Sequence, residues 1–262
     1  MSEPFPAVAE AAATGRTADL FADIRATVGV RVVNLVWRHL ATMDGALPWA
    51  WAAVKPLYVE GIVDAAVGRF RQTMIVPSLA SLAAGLEPAG VDAVLASYDH
   101  SNTINLFALG ALVARLRGQT ADSGTPERGP RLAAPDLALP PLASEGDVGP
   151  DVWAMVLRLN HFGDRPDPLI LASMYRQLAG SPGFLRRVEA ALASAQADGS
   201  LDRAIIANRE SAYTQTRTIA RAISAPLPPA VPIEAGVAAF LDHAISKMVT
   251  ICRAIRVARG AA

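Results

Sequence analysis

The chain has 262 residues, 52% of them hydrophobic, which is enough apolar surface to form a large core in one or two domains. Its 24 basic and 24 acidic side chains balance, so no net charge attracts nucleic acid or an anionic membrane, and we expect neither as a partner. The single cysteine, Cys252, excludes an internal disulfide and a Cys-x-x-Cys redox pair, which favours a reducing cytoplasm.

The N-terminal residues lack the basic start and apolar stretch of a signal peptide. The longest apolar segment, Asn105 to Leu116, is too short to span a bilayer. We therefore expect a soluble cytoplasmic protein whose residues 1–15 form a flexible tail.

Helical spacing dominates the next hundred residues. Thr17 is a plausible N-cap for a short helix through Arg25, and Val32, Leu35 and Val36 recur at the spacing of an amphipathic helix over about 30–42. Further helices are predicted through the Trp49–Trp51 segment, from residue 60 to about 73, and from Ile104 to Arg117 after a cap at Ser101 or Asn102.

The composition changes after residue 118. The stretch 119–150 is rich in Pro, Gly and Ser and cannot form regular helix over most of its length, so we interpret it as a linker. Residues 151–262 then return to helical patterns, predicted around 152–160 and from residues 169, 183, 200 and 233. No segment shows sustained period-two alternation, and the predicted fold is all-α.

The chain resembles itself. Residues 34–71 align without a gap on residues 172–209, and eleven of the 38 pairs are identical, among them Arg38/Arg176 and Arg71/Arg209. The region around Gly90 matches that around Gly236 at an offset of 146 residues. We predict two tandem homologous helical repeats that form a pseudo-dimer, the first half (16–118) and the second half (151–262), with the most useful cavity between them.

No nucleotide-binding loop, metal-ligand spacing or nucleophile motif occurs, and we expect no cofactor and no metal site. The most polar segment is 98–105, whose residues either cap the next helix or serve a site; the matching region 244–251 is much less polar. Asp99 lies within this segment.

The predicted helices over 32–42 and 169–180 differ at matching positions. Leu35 corresponds to Ser173 and Val36 to Met174, so one half offers a hydroxyl where the other is aliphatic; this serine either bonds back to its own backbone or faces a site. Arg38 and Arg176 either bind carboxylates or lie solvated on outer faces. The turn 163–168 carries Asp164 and Asp167, either for acid–base chemistry or as turn residues.

The chain resembles the group I 2-haloacid dehalogenase family. The resemblance rests on three segments that match the family in order: 21–51, 98–112 and 171–185. The resemblance implies an all-α pseudo-dimer similar in subunit fold to alkyl hydroperoxide reductase D-like proteins. It also implies that a carboxylate in the second half activates a water, which displaces halide from the C2 carbon.

Carried over to this sequence, the resemblance implies that Ser173 contacts the substrate and that Asn102 positions the water. Met174 stands at the position of the family's aspartate, and Val32 and Leu35 stand at its aromatic positions. A thioether cannot accept a proton from water, so the base is missing at Met174. Asp99, facing an apolar seam, is the candidate replacement.

Two functions follow from these residues. The first is a 2-haloacid-dehalogenase-like hydrolase that acts on a small 2-substituted carboxylic acid. The second is a non-catalytic ligand-binding or structural protein with an apolar cavity between the halves, lined by Val32, Leu35 and Met174. Assembly as a homodimer is an open alternative.

Overall fold

The computed structural model describes residues 5–83, 90–135, 137–165 and 170–260. Within these ranges the regular structure is helical and no β-strand occurs, which confirms the prediction of an all-α fold. The first half contains α1 (Gly15–Val28), α2 (Leu35–Leu40), α3 (Ala46–Val59), α4 (Ile62–Thr73) and α5 (Val91–Leu116).

A short helix, α6 (Glu145–Val148), precedes the second half. The second half contains α7 (Pro150–Asn160), α8 (Ser173–Leu178), α9 (Pro182–Ala197), α10 (Ser200–Ile219), α11 (Ile233–Phe240) and α12 (Ser246–Ala258). A π-helical turn, Leu241–Ile245, joins α11 to α12. The helices of the two halves follow in matching order at the predicted offsets. The duplication itself stays a prediction from the sequence, with which this order agrees.

Two predicted helices are shorter in the structure. The helix expected over about 30–42 is confined to α2, because α1 ends at Gly29 (φ 75°) and residues 30–34 run outside the helices. Its counterpart expected from residue 169 is confined to α8, and residue 169 lies outside the described residues. Val32 therefore precedes a helix rather than lying on one. The N-cap of α1 is Thr14, not Thr17.

The predicted helix start at Ser101 or Asn102 is wrong. Both residues lie in the middle of α5, which runs unbroken for 26 residues. Polar side chains favour caps when they bond the local backbone. Here Ser101 instead accepts a hydrogen bond from Asn34 Nδ2 (3.2 Å), 67 positions earlier in the chain. A tertiary partner thus replaces the local one, and the helix continues.

The predicted linker is largely irregular, and its described residues contact both halves: Arg176 donates to Ala143 and Arg221 to Ala121 in the second half. Arg128 pairs with Glu60 (2.6 Å), and the Leu132 amide donates to the buried carboxylate of Asp64 (2.7 Å). A Cβ added at Gly129 would lie 3.2 Å from the Ala65 Cβ, a tight contact, so the segment packs closely on α4 here. The segment is therefore attached along its length rather than free in solvent.

The hydrophobic core has two parts. The larger surrounds Trp37, Phe70 and Phe107 and includes residues of both halves, and the smaller surrounds Tyr175 and Phe184. Helix α5 packs against α10 and α12 between them. The continuous helical stretch 233–258 is long and apolar enough to cross a membrane by length and composition, but 72% of its most apolar window is buried inside the protein, the setting of a core helix.

Candidate functional site

A cavity of about 50 Å³ lies between the two halves, where the sequence predicted one. It is large enough for a few water molecules. The first half contributes segment 32–36 and residues of α5, and the second contributes segment 170–174 and residues near the π-helical turn. The lining includes five predicted site residues: Val32, Leu35, Asn102, Ser173 and Met174. Their roles in binding or catalysis stay predictions.

The wall from the first half contributes most of the polar groups of the cavity, beside the aliphatic Val32, Val33, Leu35 and Val36. Asn34, Ser97, Tyr98, Ser101 and Asn102 all line the cavity. Sequence reasoning singled out the 98–105 segment but missed Asn34 and Ser97. Asn34 stands directly before the paired positions Leu35 and Ser173, and that neighbourhood is the signal that would have identified it.

A buried hydrogen-bond network behind this wall holds Asn34 in place. Its Oδ1 accepts from Asn105 Nδ2 (3.1 Å), although it stands at the N-cap position of α2 and its side chain caps nothing there. Asn105, fully buried, accepts in turn from Trp37 Nε1 (3.1 Å) and from the Tyr58 hydroxyl (2.8 Å). Four side chains on α2, α3, α5 and the segment before α2 thereby fix the wall's position.

The second half contributes a wall that is almost wholly apolar. Ile170, Ala172, Phe240, Ile245 and Met248 line it, with Leu171, Met174 and Ala244. Two of these residues, Ala244 and Ile245, belong to the π-helical turn, a departure from α geometry that is frequent at functional sites.

Ser173 is the polar exception in the second wall, and it contacts the first. Its side chain is hydrogen-bonded to the Tyr98 phenol across the cavity. Burial raises the pKa of Tyr98 well above its usual range, and the bond to Ser173 offsets part of that rise. The phenol therefore stays protonated at neutral pH and cannot act as a base.

Met174 is fully buried beside the only cysteine. The Cys252 thiol lies 3.3 Å from Met174 Sδ and is also hydrogen-bonded to Asn102. Burial raises the pKa of Cys252 well above its usual range, and the negative charge of Asp99 raises it further. The position that the resemblance assigns to the base thus holds a thioether paired with a neutral thiol, and Asn102 faces both the thiol and the cavity.

The expectation that Asp99 faces the apolar seam is wrong. Asp99 is buried but is absent from the cavity lining, and its carboxylate lies among three arginines: Arg256, which is hydrogen-bonded to it, Arg71 at 3.6 Å and Arg253 at 3.9 Å. The physical reason is that α12 presents its basic residues to this side of α5. A carboxylate held by these cations has no access to a ligand in the cavity.

The remaining sequence candidates also lie away from the cavity. Arg38 is buried rather than solvated, and Arg176 donates to the Ala143 carbonyl oxygen (2.9 Å), so it does not lie free on an outer face. Asp164 is bound bidentately by the buried Arg209 (2.6 and 3.1 Å), which makes it a structural partner. Asp167 lies outside the described residues.

The cavity can therefore offer hydrogen bonds and apolar contacts. Among the described residues that line it, none carries a carboxylate, an imidazole, a guanidinium or an amine. General-base activation of water needs a group that accepts a proton near neutral pH, and hydroxyls, amides and thioethers do not.

Comparison with known proteins gives one kind of match. No family model and no curated protein matches the chain. Several chains of solved structures do. Among them are a D-2-haloacid dehalogenase mutant, with 15% identity over 98% of this chain and 94% of that one, and a D-2-haloacid dehalogenase mutant in complex with D-2-CPA, with 15% identity over 96% of both chains. Both have a TM-score of 0.67. At this identity the likeness concerns the fold, over nearly the whole chain. The chain therefore has a 2-haloacid dehalogenase-like fold.

Proposed function

We propose that the cavity between the halves binds a small, uncharged, mainly apolar molecule with one hydrogen-bonding group, without hydrolysing it. The observation that carries this proposal is the uncharged lining. A carboxylate ligand would lose its hydration in the cavity without meeting a cation, which costs much free energy. Transfer of a neutral amide, ketone or alcohol that forms a hydrogen bond in the cavity costs far less.

The two walls define how such a ligand lies. Its polar group faces Asn34, Tyr98 and Asn102, and its apolar part packs against Ile245 and Met248. Ser173, half-buried and bonded to Tyr98, lies where the two walls meet. A few placed polar groups in an apolar pocket are typical of small-molecule sites.

A pair of isosteric probes tests the proposal. We expect 2-chloropropionamide to bind the full chain and 2-chloropropionate to bind at least about tenfold more weakly at pH 7, because only the acid carries a charge. Ligand-observed NMR measures both affinities. Equal binding of the two probes, or binding of the acid alone, would contradict the proposal.

Two alanine variants locate the binding. Ala244→Leu adds three carbons inside the cavity and should abolish binding of the amide. Ala193→Leu makes the same change at an exposed position of α9 and should leave binding unchanged. If both variants bind alike, the ligand occupies another place.

The second candidate is a dehalogenase-like hydrolase, favoured by the fold and by the presence of Asn102 and Ser173 in the cavity. We expect no halide release from 2-chloro- or 2-bromopropionate. Release by the natural chain would overturn the binding-only proposal, and its loss in Asp99→Asn would support Asp99 as the base. The cytoplasmic location stays a prediction.

A further inference from the structure

A cluster of arginines surrounds Asp99 at the junction of the two halves. Arg71 comes from α4 in the first half, and Arg253 and Arg256 come from α12 in the second. The Asp99 side chain is 2% exposed, while the three arginine side chains are 22 to 28% exposed. The carboxylate is therefore sealed in, and the guanidinium groups remain within reach of an ion from solvent.

The cluster carries more positive charge than its carboxylate balances. Three guanidinium groups face one carboxylate, and only Arg256 is hydrogen-bonded to it. Arg71 and Arg253 lie beyond hydrogen-bond distance, and neither donates to another protein atom among the described residues. Arg259, the C-cap residue of α12, is bound bidentately by Asp92 (2.6 and 2.9 Å), so the charge of Asp92 is balanced mainly by Arg259 rather than by the cluster.

In the second half the matching arginine is fully paired with a carboxylate. Arg209 occupies the position that matches Arg71, and it makes two hydrogen bonds to its own carboxylate, Asp164. Arg71 has only a share of Asp99. Burial lowers the pKa of Arg71, and Asp99 raises it only in part, which is consistent with a cation that lacks a full partner.

We infer that Arg71, Arg253 and Arg256 form a binding site for a tetrahedral oxyanion of the phosphate type. Guanidinium groups bind phosphate oxygens through paired N–H donors, and a phosphate group carries a charge of about −1.5 to −2 near pH 7. That charge matches the excess of two positive charges in the cluster. The source is either free phosphate or the phosphoryl group of a small organic molecule.

Isothermal titration calorimetry on the full chain tests the inference. We expect saturable binding of sodium phosphate at pH 7.5 and none of sodium chloride at the same ionic strength. Glycerol 3-phosphate and glycerol distinguish the sources: tighter binding of glycerol 3-phosphate than of phosphate indicates an organic phosphate, and the reverse indicates the free ion. Absence of saturable binding by both phosphates overturns the site.

Arg253 is the residue to change, because its loss leaves the Arg256–Asp99 bond in place. Arg253→Gln should weaken phosphate binding about tenfold, and Arg253→Lys should recover part of that loss. Arg16→Gln, an exposed arginine on α1, should bind phosphate as the natural chain does. Equal affinities in Arg253→Gln and Arg16→Gln overturn the assignment.

A measurement on the natural chain covers the case in which Arg253→Gln does not fold. At low millimolar concentration, where its general kosmotropic effect is negligible, phosphate should raise the midpoint of thermal unfolding above its value in chloride of equal ionic strength, because a ligand that binds only the folded state stabilises it. Equal midpoints in the two salts contradict the inference.

Discussion

Trp37 and Tyr175 occupy matching positions in the two halves, but only the polar group of Trp37 has a hydrogen-bond partner among the described residues. Both side chains are fully buried. Trp37 Nε1 donates to Asn105, whereas the Tyr175 hydroxyl has no hydrogen-bond partner among the described residues. The residue that corresponds to Asn105 in the second half is Ile251, which offers no acceptor.

The two halves therefore differ in the hydrogen-bonding groups that stand behind the cavity. In the first half a buried asparagine organises Trp37, Tyr58 and Asn34, and Asn34 extends this network to the cavity. In the second half Ile251 stands at the matching position of α12, and the residues that line the cavity from this half are apolar except for Ser173. A ligand in the cavity therefore meets most of its hydrogen-bonding groups on the side of the first half, with Ser173 as the exception.

Replacement of Asn105 should have the largest effect. Asn105→Leu keeps the approximate volume but removes the partner of the buried Trp37 and Tyr58 side chains and of the half-buried Asn34, at about 1 kcal/mol each. We expect the free energy of unfolding to fall by about 3 kcal/mol, measured by urea denaturation. The matched control Ile251→Leu should cost less than about 1.5 kcal/mol. Similar losses in the two variants would show that the network adds no stability.

The next largest effect is a difference between Tyr175 and Trp37 in how stability depends on alkaline pH. Burial raises the pKa of Tyr175 above its usual value of 10. Above pH 10 the unfolded chain therefore releases this proton while the folded chain keeps it, and stability falls as the pH rises. Tyr175→Phe should spare about 1.4 kcal/mol of this loss between pH 9 and 11. Trp37→Phe, which removes no titrating group, should follow the natural chain's pH dependence.

The smallest expected effect is a pair of changes in the free energy of unfolding at neutral pH that have opposite signs. Tyr175→Phe removes an unpaired buried hydroxyl and should stabilise the fold by about 1 kcal/mol. Tyr98→Phe removes the bond to Ser173 and should destabilise it by a similar amount. Thermal unfolding should show shifts of about 2–4 °C in opposite directions. Two shifts of the same sign would contradict the distinction between a hydrogen-bonded phenol at Tyr98 and an unpaired one at Tyr175.

Local signals in the sequence predicted several elements and missed others for identifiable reasons. The spacing of apolar residues located α3, α4 and α7, because packing of one helical face depends on that spacing. The cap expected at Ser101 or Asn102 failed, since the partner of Ser101 is Asn34, far away in the chain. The same holds for Asp99, whose nearest cation, Arg256, lies 157 positions away.

The sequence by itself determined the all-α class, the place of a cavity between the halves and the absence of a carboxylate at Met174. These features depend on periodicity, on internal similarity and on the chemistry of single residue types. Only the tertiary structure decided that Asp99 faces arginines instead of the cavity and that Tyr98 bonds to Ser173. It did so because those environments arise from helices of opposite halves brought together by burial of their apolar faces, which no local pattern encodes.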